Sequence, residues 1–132
     1  MKKISLIIIA LALFTTGCSK EGLTETAPGN NDPNYDVNKR VFRVQASSTD
    51  NFNLTVVEYT ASNEAYNTEN ADQSTAFDYG FTPVIGHTVK VTLQSSGALS
   101  ATMLYKGVIL DPVKINSTGD GSNATYVYTV TN

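Results

Sequence analysis

The chain predicts an all-β protein: a small antiparallel immunoglobulin-like β-sandwich of six to seven strands, preceded by a signal peptide and a flexible tether. Three observations carry this prediction. From Lys39 onward, short runs rich in Val, Thr, Tyr and Phe alternate apolar and polar positions. Residue-Gly pairs punctuate those runs, and no useful window after Phe14 keeps a 3.6-residue period. Alternation at period two gives one buried and one wet face, the pattern of antiparallel sheets. At 132 residues the chain has room for one domain.

In chain order, "VFRVQA" places Phe42, Val44 and Ala46 on one face. "NLTVVEY" has Leu54 and Val56 on one face and Val57 and Tyr59 on the other. "FDYGF" repeats Phe77, Tyr79 and Phe81, and "TVKVTLQ" repeats Val89, Val91 and Leu93. "ATMLY" does so with Ala101, Met103 and Tyr105, and "ATYVYTV" with Ala124, Tyr126, Tyr128 and Val130. Lys106-Gly107 between "TMLY" and "VIL" predicts a tight hairpin, and Asp120-Gly121 between "VKINST" and "NATYVYTV" predicts a second. The domain is therefore expected over residues 39–132.

The N-terminus has a different texture. Lys2 and Lys3 precede an apolar run from Ile4 to Phe14, which small residues Thr15, Thr16 and Gly17 close. This is the layout of a secretory signal, and the run is about half the ~20 residues that a membrane-spanning helix needs. The chain holds one cysteine, Cys18. A lone cysteine forms no internal disulfide and no multi-thiolate metal site. As a catalytic thiol it would need a base, and the single histidine, His87, lies in a separate element.

The run Thr15-Thr16-Gly17-Cys18 behind an apolar segment resembles the lipobox of bacterial lipoproteins, although Thr15 stands where that family usually carries Leu. The resemblance implies cleavage between Gly17 and Cys18, removal of residues 1–17, and acylation of Cys18 by diacylglyceryl and palmitate-type chains. Ser19-Lys20-Glu21 resembles the charged tract behind that cysteine in surface-exported lipoproteins of the Bacteroidetes. The implied location is the cell envelope, with the outer membrane favoured, and the implied partner is the membrane, through the N-terminal lipid. Several acyl chains anchor stably where one binds marginally.

Residues 18–38 would then be the lipidated cysteine and its linker, poor in apolar side chains and rich in Asn, Asp, Gly and Pro. Loss of Lys2 and Lys3 leaves seven basic residues against 12 acidic ones, a net charge of −5. Well-spread acidity excludes a nucleic-acid partner, and there is no polybasic run for anionic lipid.

The order of a "VxY" strand, a polar stretch, an aromatic strand, a Gly before "VxVxL" and a residue-Gly hairpin resembles the small mycobacterial transport-accessory (MmpS) family. Here these are Val57 to Tyr59, Phe77 to Phe81, Gly86 to Leu93, and Tyr105-Lys106-Gly107-Val108. That family's membrane-anchored β-sandwich assists a lipid exporter, so the resemblance implies a sandwich and, as an alternative role, an accessory subunit with a protein partner in the envelope. This chain differs in its lipobox-type anchor and in having no cysteine pair in the domain.

Few residues point to chemistry. Asp32, Asn34, Asp36 and Asn38 alternate like the start of a calcium loop. However, Val37 stands where the required Gly should be, and no Glu follows at the twelfth position. "ASNEAYNTENADQS", residues 61–74, reads as the longest polar connection, a candidate ligand or partner loop carrying Glu64, Tyr66, Glu69 and Asp72. Paired carboxylates there could in principle serve a hydrolase. His87 reads as a surface or edge residue without a nucleophile motif, and "TGDGSN" lacks the Lys and helix of a phosphate loop. The sequence points to a non-enzymatic binding domain with no cofactor and no metal.

Overall fold

The computed structural model describes residues 34–132. Gly17 and Cys18, with the signal and lipobox expectations, lie outside the described residues. A short helix, α1 (Tyr35–Lys39), leads into nine strands. These are β1 (Phe42–Ser48), β2 (Phe52–Tyr59), β3 (Ala65–Gln73), β4 (Phe77–Phe81), β5 (Thr88–Ser95), β6 (Leu99–Tyr105), β7 (Val108–Ile109), β8 (Ile115–Thr118) and β9 (Gly121–Thr129). They form two antiparallel sheets, in the orders β4-β1-β6-β7 and β3-β2-β5-β9-β8. The protein is thus an all-β sandwich, with more strands than the six to seven expected. The excess comes from β7, two residues long, and from β3, which lacks apolar alternation.

The core is built by the alternating side chains. Phe42, Val44, Tyr79, Phe81, Met103 and Tyr105 from the four-stranded sheet meet Leu54, Val56, Val89, Val91 and Leu93 from the five-stranded sheet and Val130 just past β9. Burying each aliphatic or aromatic side chain of this kind contributes about 1.5–3 kcal/mol. Tyr128 joins the layers, its ring 5.8 Å from Phe42 and 5.3 Å from Tyr105. In the β6–β7 hairpin Lys106 (φ 54°) and Gly107 (φ 75°) are both left-handed, as a type I′ turn requires. Gly121 (φ 138°) follows the β8–β9 turn, and a Cβ there would run into the Ser95 carbonyl oxygen.

Three segments differ from the sequence reading. Residues 61–74, expected as a loop, are a turn followed by strand β3. Residues 35–38, expected in the linker, belong to α1. That helix is fixed to the sandwich because Arg43 on β1 donates to both carboxylate oxygens of Asp36, from Nε at 2.8 Å and Nη2 at 2.7 Å. Arg43 also donates from Nη1 to Asp78, which together with Asp36 holds the guanidinium pKa above its ordinary range. His87 is the third case. It is half-buried and hydrogen-bonded, not a surface residue.

The sandwich has two distinct ends. At the α1 end, the Lys106 amide donates to the Val41 carbonyl and the Tyr105 hydroxyl to the Thr131 carbonyl. The Gly86 amide donates to the Val130 carbonyl at the same end. At the far end, Ser48 and Ser95 share a hydroxyl hydrogen bond, and the Thr49 amide donates to the Ala98 carbonyl.

Candidate interaction site along the β3 edge

Strand β3 follows β2 through a turn that its polar residues build. The Thr60 amide donates to the Glu64 carbonyl, Asn63 takes the left-handed conformation (φ 64°), and the Glu64 amide donates to Thr60 Oγ1. From there β3 pairs along β2 with a register shift at Glu58/Tyr59. Its single fully buried side chain is Ala71, opposite Leu54. An edge strand needs only one neighbour, so β3 can be polar throughout. The sequence Ala65–Gln73 therefore shows no hydrophobic period.

This placement separates the four candidate residues. Glu64 ends the turn and is exposed. Tyr66 lies at the register shift, 62% exposed, with its ring edge-on to His87 at 4.9 Å. Glu69 is paired opposite Val56, and Asp72 opposite Asn53, whose side-chain amide donates to Asp72 at 2.9 Å. Val56 faces the core and Asn53 does not, so Glu69 and Asp72 project to opposite faces of the sheet. Two carboxylates so divided cannot flank one bond, and the arrangement offers no acid–base pair.

Asp72 instead borders an open groove of about 650 Å³ at the far end, lined by Asn51, Asn53, Gln94, Ser96 and Asp120. Beside it, Asp50 accepts from the Ser96 hydroxyl and the Asn51 amide, and these donors hold its carboxyl below the usual range. No group of three or more His, Cys, Asp or Glu residues suited to a metal occurs among the described residues.

One polar cluster escaped the sequence reading. Glu58 is buried, at 3% exposure, and its Oε1 accepts from the Val84 amide and from His87 Nδ1, both at 2.8 Å. As a carboxylate, Glu58 fixes the imidazole proton on Nδ1. The signal was present in the alternation itself: Phe52, Leu54, Val56 and Glu58 share one phase, and all four are buried. Glu58 sits where the strand end would otherwise carry a core hydrophobe. Among the described residues no hydroxyl is hydrogen-bonded to His87, so the pair lacks an attached nucleophile and braces the 82–87 connection against β2.

Among the described residues, β3 is the longest edge strand. The other edge strands, β4, β7 and β8, have five, two and four residues against nine. It carries no Pro and no Lys, two of the residues that commonly block edge pairing. No protein-family model, no curated protein and no solved structure matches this chain.

Proposed function

We propose that this chain is a lipid-anchored cell-envelope protein whose β-sandwich is a non-catalytic binding module, with β3 as its docking edge. Attachment through Cys18 rests on the lipobox-like run of residues 15–18 and the apolar segment before it. The observation that carries the binding role is the nine-residue strand β3 at the edge of its sheet, paired with β2 and carrying neither Pro nor Lys. An extended segment of a partner can add there as a further strand, main chain to main chain. Glu69, Asp72 and the neighbouring Glu64 favour a partner segment that carries basic side chains. Tyr66, exposed at one end of the strand, provides an aromatic contact.

The test has two arms. Metabolic labelling with an alkyne fatty acid should mark the native protein and leave Cys18→Ala unlabelled; equal labelling of the two would refute the anchor. A photo-crosslinking residue at Thr68 or Asn70 should give a discrete adduct in cells that the same residue at Gln45 does not. Absence of an edge-specific adduct would refute the docking role. An adduct with a large membrane transporter would favour the accessory-subunit reading over a free-standing binder.

A further inference from the structure

The sandwich is polarised along its length in a way that residue order conceals. Of the seven large apolar side chains that are exposed among the described residues, six lie at the α1 end: Val37, Tyr66, Val84, Ile85, Val108 and Ile109. Val108 and Ile109 are the most exposed, at 65% and 69%. The segments that carry them adjoin. A Cβ on Gly107 would sit 3.8 Å from Val37 Cγ2, and the Thr82 hydroxyl donates to the Lys39 carbonyl. Lys39 and Arg40 end α1, and the Lys106 amide is bonded to Val41 beside them.

None of these three cations forms a side-chain ion pair among the described residues, whereas Arg43 neutralises Asp36 and Asp78. Among the described residues, Glu64 and Asp111, two residues beyond Ile109, are exposed acidic side chains near this end that do not pair with Arg43. The far end is the reverse, with Asp50, Asp72 and Asp120 gathered around the groove. A chain with a net acidic charge and no polybasic run thus acquires one basic, apolar end.

We propose that this end, made of α1, the 82–87 connection and the β6–β7 hairpin, is a surface that lies on anionic lipid headgroups. Exposed aliphatic side chains ringed by Lys and Arg are the composition that interfacial binding uses. The opposite, acidic end is repelled by the same surface, so the fold sets its own orientation with the groove pointing outward. The place where the chain joins the domain favours this occupant. Residues 18–33 enter at α1, and 16 residues reach at most about 55 Å. The inference deepens the lipid-anchored reading and rests on it. A tether that short gives an effective concentration on the order of millimolar, so a surface too weak to bind from solution still docks.

The test uses the full chain with excess vesicles of phosphatidylcholine, with or without phosphatidylglycerol, followed by hydrogen exchange and by flotation. Exchange at residues 36–41, 82–87 and 106–110 should slow roughly tenfold on the anionic vesicles and stay unchanged on neutral ones. Residues 48–53 and 94–99 should not respond. Each cation contributes about fivefold to docking, so K39Q/R40Q/K106Q should weaken it on the order of 100-fold and abolish the protection. V108S/I109S should reduce it; Lys39, Arg40, Val108 and Ile109 are exposed and Lys106 is half-buried, none of them in the core, and unchanged circular dichroism and urea midpoints verify that both variants fold. Equal exchange on neutral and anionic vesicles, or protection that survives the triple substitution, would overturn the proposal. Flotation reports the anchor independently. Native protein that floats no better than Cys18→Ala would refute the anchor, and one that floats but shows no anionic protection would refute this surface alone.

Discussion

Replacing His87 with alanine tests whether the Glu58 pair holds this end of the sandwich. The carboxylate is 3% exposed and keeps two donors, the Val84 amide and His87 Nδ1, at 2.8 Å each. The substitution removes one of them. A hydrogen bond to a charged group contributes about 1.5–3 kcal/mol net, and breaking a fully buried pair costs about 3–5 kcal/mol. His87 is 14% exposed, so water can reach the vacated site and the lower range applies. We expect a loss of about 2 kcal/mol, which for a domain near 100 residues lowers Tm by roughly 10 °C. Thermal and urea unfolding followed by circular dichroism read this directly. Glu58→Leu/His87→Leu should recover part of the loss, because paired apolar replacements leave no buried charge without a partner. Tyr66→Ala, which removes only an exposed ring from the same cluster, should cost less than about 1 kcal/mol. A change within about 0.5 kcal/mol for His87→Ala, or a double variant that loses the sum of both single changes, would refute the bracing role.

Two further outcomes follow from the fold. Gly121→Ala combines a φ of 138° with a Cβ directed at the Ser95 carbonyl, so it should destabilise by at least about 2 kcal/mol, whereas Gly119→Ala, which meets open space, should be near neutral; comparable urea midpoints would contradict this. Burial raises the phenol pKa of Tyr105, assisted by Tyr128, and of Tyr126, assisted by Asp111. The folded state then keeps protons that the unfolded chain releases above about pH 10. This stabilisation is complete below that pH and is lost as pH rises through the folded values. Denaturant midpoints should fall across that range together with phenolate absorbance, and midpoints that rise would reverse the sign of the argument.

Two polar segments mark where the sequence could and could not be read. Glu58 was missed although it occupies the buried phase of the Phe52, Leu54, Val56 alternation, because a carboxylate at that position looks like a strand end until its partner is known. The His87 partner lies 29 residues away and comes from a connection with no period of its own. Strand β3 was not legible, because an edge strand has one neighbour and here buries one alanine, so nothing in Ala65–Gln73 needs to alternate. Its strand character comes from β2, whose backbone it pairs with residue by residue.

By itself the sequence determined the all-β class, most core side chains, the Lys106-Gly107 turn, the presence of the β8–β9 hairpin, whose turn falls one residue earlier at Gly119-Asp120, and the apolar run before Cys18. Each of these depends on neighbours a few residues apart: alternation sorts side chains onto two faces, and the Lys106-Gly107 pair supplies left-handed backbone. Only the tertiary structure decided the rest. It made an expected loop into an edge strand, set Glu69 and Asp72 on opposite faces, and drew Asp36 and the start of the domain under Arg43. It also gathered Lys39, Arg40 and Lys106 at one end of a net-acidic chain. Those features depend on which strand ends meet, and sheet pairing brings together residues that lie dozens of positions apart.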